Sequence, residues 1–249
     1  MQVLNRLYVY CLTVSLLGAC APAEQLPTSS ADIESVGILA LQANKQSAVD
    51  QLLKWADLGY PVAQRELGLV YARYPETANP QASAAVWLQK AAAAGDREAQ
   101  MALAQACHGG TLGLKRDDIQ AWKWFTAASL QGDGQASFML ARMVSHGQGT
   151  VQDMGQSAHW LQIAAKQKNA QAMYQLSVAY RNGDGIPQNA MLARYWLNMS
   201  AEHDYNIAIQ ALAMELDGLG GENSPYAERS RHLFKEASDH RLMRWNTHL

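Results

Sequence analysis

The chain has 249 residues, 49% of them hydrophobic and 17% charged, with only seven prolines, a composition that excludes an extended disordered protein. A formal charge of −2 leaves no cationic excess for a phosphate backbone, so no nucleic-acid partner is expected. Two of the three cysteines fall within the first 20 residues, so the body can hold no internal disulfide, and neither CxxC nor HExxH spacing offers a metal site.

Residues 1–19 read as a targeting segment, in which one positive charge, Arg6, precedes the apolar run Leu7–Leu17 and small residues come after it. That run is short for a bilayer span, and no later run reaches the length. Its end, Leu17-Gly18-Ala19-Cys20, resembles the lipobox of bacterial lipoproteins. The resemblance implies cleavage before Cys20 and acylation of its thiol and new amine. The next residue is Ala21 rather than Asp, which in that family implies the outer membrane, periplasmic face. Two or more acyl chains, at about 0.8 kcal/mol per buried methylene, hold a protein firmly where one binds reversibly. Residues 20–31 hold two Pro and two Ser without periodicity and read as a tether. Residues 32–58 carry helical spacing through Ile38, Leu39, Leu41, Val49, Leu52, Leu53 and Trp55, and are expected to cap the N-terminal end of a longer helical array.

From residue 59 to 240 the sequence repeats itself. Ala63, Ala99, Ala136, Ala172 and Ala208 recur at steps of 36 or 37 residues. Leu stands four places after each, and Tyr71, Cys107, Val144, Tyr180 or Leu216 eight places after, which is one face of a helix. The residue after each Leu is small (Gly68, Ala104, Ala141, Ser177, Ala213), as close helix packing requires. In the second helix of each unit, Trp87, Trp124, Trp160 and Trp196 precede small pairs such as Ala164-Ala165 by four residues, and are expected to be core. Gly147-Gln148-Gly149 and Gly183-Asp184-Gly185 supply positive φ at helix ends, while Asp117, Asp153 and Asn189 are placed to cap the next helix. A period in this range marks a helical-hairpin solenoid, and the expected fold class is an all-α superhelix of antiparallel hairpins.

Taken together, A-x3-L-G/A-x2-Y-x2-G-x-G-I-x-x-N/D-x3-A-x2-W-x3-A-A-x2-G resembles the SEL-one-like repeat family, relatives of the tetratricopeptide repeats, most closely over Ala172–Ala201. The resemblance implies a right-handed α-solenoid that binds other proteins, and it covers about 59–240. The loop Arg73-Tyr74-Pro75-Glu76 lacks the Gly-X-Gly, His232 stands where Trp is expected, and residues 241–249 read as a C-terminal cap or tail.

No nucleophile–base set emerges, so an enzyme is not expected, and no cofactor or small-molecule substrate is implied. His108, His146 and His240 sit near helix ends and read as caps, and Cys107 reads as an inert core thiol. In a solenoid of this kind the first helices line the concave surface. Two residues after each core Ala stand Arg65, Met101, Phe138, Tyr174 and Gln210, with Gln105, Arg142, His108 and Arg181 further along, all expected to face that groove. Aromatic and Arg residues are the types that most often carry interface energy. The resulting expectation is a lipid-anchored periplasmic scaffold with protein partners in an envelope or secretion complex. The alternatives are a peptidoglycan- or glycan-binding lipoprotein, or a hydrolase-like enzyme.

Overall fold

The computed structural model describes residues 26–43, 45–74, 83–218, 228 and 230–235. Cys20 with its leader, the loop from Pro75, His240 and the tail 241–249 lie outside them. Among the described residues there is no strand; residues 230–235 are helical, and eleven further α-helices have both ends described. In chain order these eleven are α1 Ser30–Ala43, α2 Gln46–Asp57, α3 Pro61–Arg73, α4 Ala84–Ala93, α5 Arg97–Gly109, α6 Asp118–Leu130, α7 Gly134–His146, α8 Met154–Lys166, α9 Ala170–Asn182, α10 Ala190–Glu202 and α11 Asn206–Gly218. Each odd-numbered helix from α3 to α9 packs most closely on the even-numbered helix after it, and each hairpin then packs on the next. The result is a solenoid.

Local chemistry starts and stops these helices. Asp96, Asp133 and Asn169 each accept a hydrogen bond from the backbone N–H of the core alanine three residues on, at 2.8–2.9 Å. Asp117, Asp153 and Asn189 cap α6, α8 and α10 in the same way, at 2.9–3.0 Å. The turn that leads into each first helix needs a left-handed residue: Gly59, Gly95 and Gly132 supply it, and Lys168 and Asp204 take the same place at φ 64 and 60. The second glycine of each Gly-X-Gly answers a different demand. A Cβ on Gly149 would stand 2.6 Å from the Asp118 carbonyl, and one on Gly185 would run into that of Met154. These loops therefore press on the start of the second helix in the preceding repeat.

The core obeys the repeat. All five alanines are fully buried and the five leucines after them are no more than 3% exposed. Gly68 shows why that column is small, because an added Cβ would sit 2.8 Å from Leu88 Cγ. The tryptophans depart from expectation. Trp87 is buried, but Trp124, Trp160 and Trp196 are half-buried. The filled position is the residue after each, Leu88, Phe125, Leu161 and Leu197. The indole of Trp160 reaches across the seam to the preceding second helix, where it meets Trp122, two residues before the repeat Trp position, edge to face at 6.1 Å.

Helices α1 and α2 pack on one another, and both pack on α3. Ala56 of α2 receives the Gln64 side-chain N–H as Ala92 of α4 receives that of Gln100, both at 3.1 Å, so α2 occupies the place of a second helix. Ile33 and Ala40 of α1 are buried, whereas Ile38 and Leu39 are exposed.

Candidate functional site

A helix advances about 100° per residue. Measured from the core alanine, the buried stripe lies at about 0°, 40° and 80°, the residue two places on at about 200°, and the residue six places on at about 240°. The structure sorts these rows differently from the sequence expectation. Arg65 and Phe138 are buried, and Met101, Tyr174 and Gln210 are half-buried. The neighbouring repeat reaches over this row. One turn further, Gln105, Arg142 and Met214 are exposed, and Leu69 and Val178 half-buried, so the open face of the first helices is centred there.

Arg65 is the clearest correction. Its side chain is 6% exposed and meets four carboxylates: Glu34 at 2.9 Å, Glu66 at 2.8 Å, Asp96 at 3.1 Å and Glu98 at 2.9 Å. These come from α1, α3, the cap of α5 and α5 itself, so the guanidinium ties the N-terminal helix to two repeats. Desolvation would lower its pKa, but hydrogen bonds from the guanidinium to Glu66 and Glu34 outweigh that and raise it. Burial pushes the Glu66 carboxyl up, and its bonds to Arg65 offset this only in part. Arg65 is thus unavailable to a partner.

The other expected groove residues divide. Met101 packs beside the core around Leu103 and Phe125. Phe138 joins Leu161, Ala172 and Leu176 in a buried cluster. Tyr174 turns to the next repeat and meets Tyr205 at 5.6 Å between ring centres, so it does not share a surface with Phe138 in the way equivalent spacing suggested. Arg181 reaches Glu215 at 3.5 Å, and Arg194 shares that carboxylate at 3.3 Å. Gln210 donates to Asn206 at 2.6 Å. Gln105 and Arg142 are exposed.

Histidine and cysteine chemistry is quiet. His146 Nδ1 lies 2.8 Å from the Arg142 carbonyl, closing the end of α7, and His108 Nδ1 lies 2.7 Å from Asp118. Burial raises the Asp118 carboxyl, but hydrogen bonds from Arg116 and His108 outweigh it and leave the pKa below the usual value. Burial, then Asp117, push the Cys107 thiol up, which disfavours the reactive thiolate. Among the described residues no group of three or more His, Cys, Asp or Glu could hold a metal ion, and no helix is long and apolar enough to cross a membrane.

What the first helices do offer is a cleft of about 400 Å³ between the α7–α8 hairpin and α9. Phe138, Leu161, Val178 and Tyr205 line it together with Arg142 and Gln175. Sequence reasoning named Phe138 and Arg142 and missed the rest. Val178 would have been found by tracing the row one more helical turn, to the position equivalent to Gln105 and Arg142. Leu161 and Tyr205 carry no local signal, because it is the packing of one hairpin on the next that brings them to the cleft.

The geometry agrees with the comparisons. The Sel1 repeat family model matches residues 61–96, 97–133, 134–169 and 170–205 in unbroken succession. Repeats of this kind form protein-interaction scaffolds, typically without catalysis. A Sel1 repeat protein from Oxalobacter formigenes superposes with a TM-score of 0.69 at 24% identity, over 94% of this chain and 98% of that one. A protective antigen of uropathogenic Escherichia coli with an SLR fold gives the same score and identity, over 85% of this chain, which spans 46% of the antigen. An immunity protein from Pseudomonas aeruginosa scores 0.50 at 16% identity, covering 86% of this chain and 83% of that one. At these identities the structures bear on the fold alone, and a search of curated proteins finds no match. Four consecutive matches over most of the described helices place the chain in the Sel1 repeat family.

Proposed function

We propose that this chain is a lipid-anchored scaffold that holds other proteins against its first helices at the periplasmic face of the outer membrane, in the assembly of an envelope or secretion complex. The observation that carries the binding face is the cleft between α7, α8 and α9, with an apolar floor and a polar rim on the open side of the first helices. The lipobox-like Leu17–Cys20 supports the anchor. Nine residues separate Cys20 from α1, so an acylated Cys20 would hold α1 within at most about 35 Å of the bilayer.

Two measurements test the reading. Cys20→Ala should abolish labelling by an azido fatty acid and release the chain from the membrane fraction; a variant still acylated and membrane-bound sinks the anchor. A photocrosslinking residue at Gln105 or Gln175 should capture a protein in intact cells, while one at Lys123 on the second-helix side should not. Capture from Lys123 alone would move the interface to the other face, and recovery of muropeptides would replace the protein partner by a glycan.

A further inference from the structure

The cleft has a donor with nothing to bind. Arg142 is exposed, and its guanidinium makes no ion pair among the described residues, its one side-chain contact being with the Met139 sulfur at 4.0 Å. Among the other arginines of the first helices, Arg65 meets four carboxylates, Arg97 lies 3.8 Å from Glu98 and Arg181 3.5 Å from Glu215, while Arg73, at the end of α3 and outside the cleft, also makes no ion pair among the described residues. The carboxylate that lines the same cleft, Asp184, accepts instead from the Asn182 amide at 3.1 Å. His146 is turned to the Arg142 carbonyl and to Ser145. An Arg held over an apolar floor, with no carboxylate of its own, presents a planar fork suited to two oxygens of an incoming one.

We infer that the cleft between α7, α8 and α9 takes an extended peptide segment in which a large apolar side chain neighbours an acidic one. The apolar group seats on Phe138, Leu161 and Val178, and the carboxylate meets Arg142. This rests on the first helices being the binding face and names the chemistry of the partner.

Size and polarity support the choice of occupant. A volume of about 400 Å³ admits one or two side chains of an extended chain, near the small end of the range for ligand sites. On the opposite wall Gln171 and Gln175 are exposed, each with a donor and an acceptor to offer a peptide backbone. The other end of the solenoid is electrically opposite. Around Arg65 four carboxylates answer one guanidinium, and two of them, Glu34 and Glu98, are about half exposed. An acidic segment is disfavoured there and accepted beside Arg142.

The test uses three fluorescein-labelled decapeptides, of alternating Leu/Glu, Leu/Lys and Ser/Glu, titrated by fluorescence anisotropy against the full chain in a non-ionic detergent. The Leu/Glu probe should bind at least tenfold more tightly than the other two. Arg142→Glu, with unchanged helical circular dichroism, should weaken Leu/Glu at least tenfold and favour Leu/Lys, and the difference should shrink at about 1 M salt, where screening acts within about 3 Å. Val178→Glu, which places a charge on the floor, should remove binding of every probe. Equal binding of Leu/Glu and Ser/Glu, or indifference to Arg142→Glu, overturns the inference. Preference for Leu/Lys, abolished by Val178→Glu, overturns it while leaving the face a binding site. If no peptide binds, the inference also fails, and the crosslinks from Gln105 and Gln175 then decide whether the scaffold reading survives.

Discussion

Arg65 and Arg142 stand on first helices two repeats apart, and each comes within one turn of the same repeat position. Their surroundings differ in kind. Arg65 lies two residues after its core alanine, where the helices before and after close over it, and four carboxylates from three helices and a cap converge on it. Arg142 lies six residues after its alanine, on the open side of α7, and no carboxylate among the described residues pairs with it. The N-terminal end of the face has turned its charge inward as a clasp, and the middle has left a charge outward. One helical turn, and the acids that neighbouring repeats happen to carry, separate a structural arginine from a free one.

The largest expected effect breaks the clasp. Arg65→Met strands buried Glu66 and Asp96 without a counter-charge and should cost about 3–5 kcal/mol in urea unfolding. Arg142→Met should stay within about 0.5 kcal/mol. Equal losses at the two sites would erase the distinction.

The tryptophans draw the same contrast more finely. Trp87, buried beside the clasped end, should cost about 3–5 kcal/mol on replacement by Ala, and half-buried Trp160 roughly half as much. Trp87 Nε1 is buried without an acceptor among the described residues. Trp87→Phe removes that unmet donor and should therefore cost less than about 1 kcal/mol despite its smaller ring. A loss as large as that of Trp87→Ala would mean the indole fills space that a phenyl ring cannot.

Proton linkage separates the two kinds of carboxylate. The Glu66 pKa is raised, so between the ordinary value of 4.5 and the folded value the native state binds more protons than the unfolded one. Stability should therefore fall as pH rises through that window, and Glu66→Gln should remove this slope. Asp118 has the opposite sign: its pKa is lowered by Arg116 and His108, so its contribution is present above 3.8 and lost as pH falls through the folded value. Asp118→Asn should flatten the acid limb instead. Chemical denaturation at a series of pH values would show both, and slopes unchanged by either variant would mean these carboxylates are not coupled to folding.

The smallest effect is a gain. Lys168 takes, at φ 64, a left-handed turn position that Gly59, Gly95 and Gly132 fill elsewhere and that Asp204 also takes. Lys168→Gly should relieve that strain and stabilise by roughly 0.5–1 kcal/mol after glycine's greater unfolded freedom is counted. A lower melting temperature would show that the lysine side chain makes up for its backbone.

Much of this protein is legible in the sequence because its determinants are local. Helix caps such as Asp117 and Asp153 act within three residues, the Ala–Leu stripe keeps the helical period, and the Gly-X-Gly loops answer backbone φ. Repetition then multiplies each weak local signal, which is why the fold class could be read from spacing and the family from the resemblance of the repeated motif. The candidate face was legible only in part. Arg65 owes its burial to Glu34 and Asp96, each 31 residues away, and nothing near it in sequence announces either. The burial of Phe138, the turning of Tyr174 toward Tyr205 and the half-exposure of Trp160 all depend on how far one hairpin overlaps the next. Periodicity assigns a residue its direction around its own helix. Only the packing of neighbouring repeats decides how much of that direction is left open to solvent.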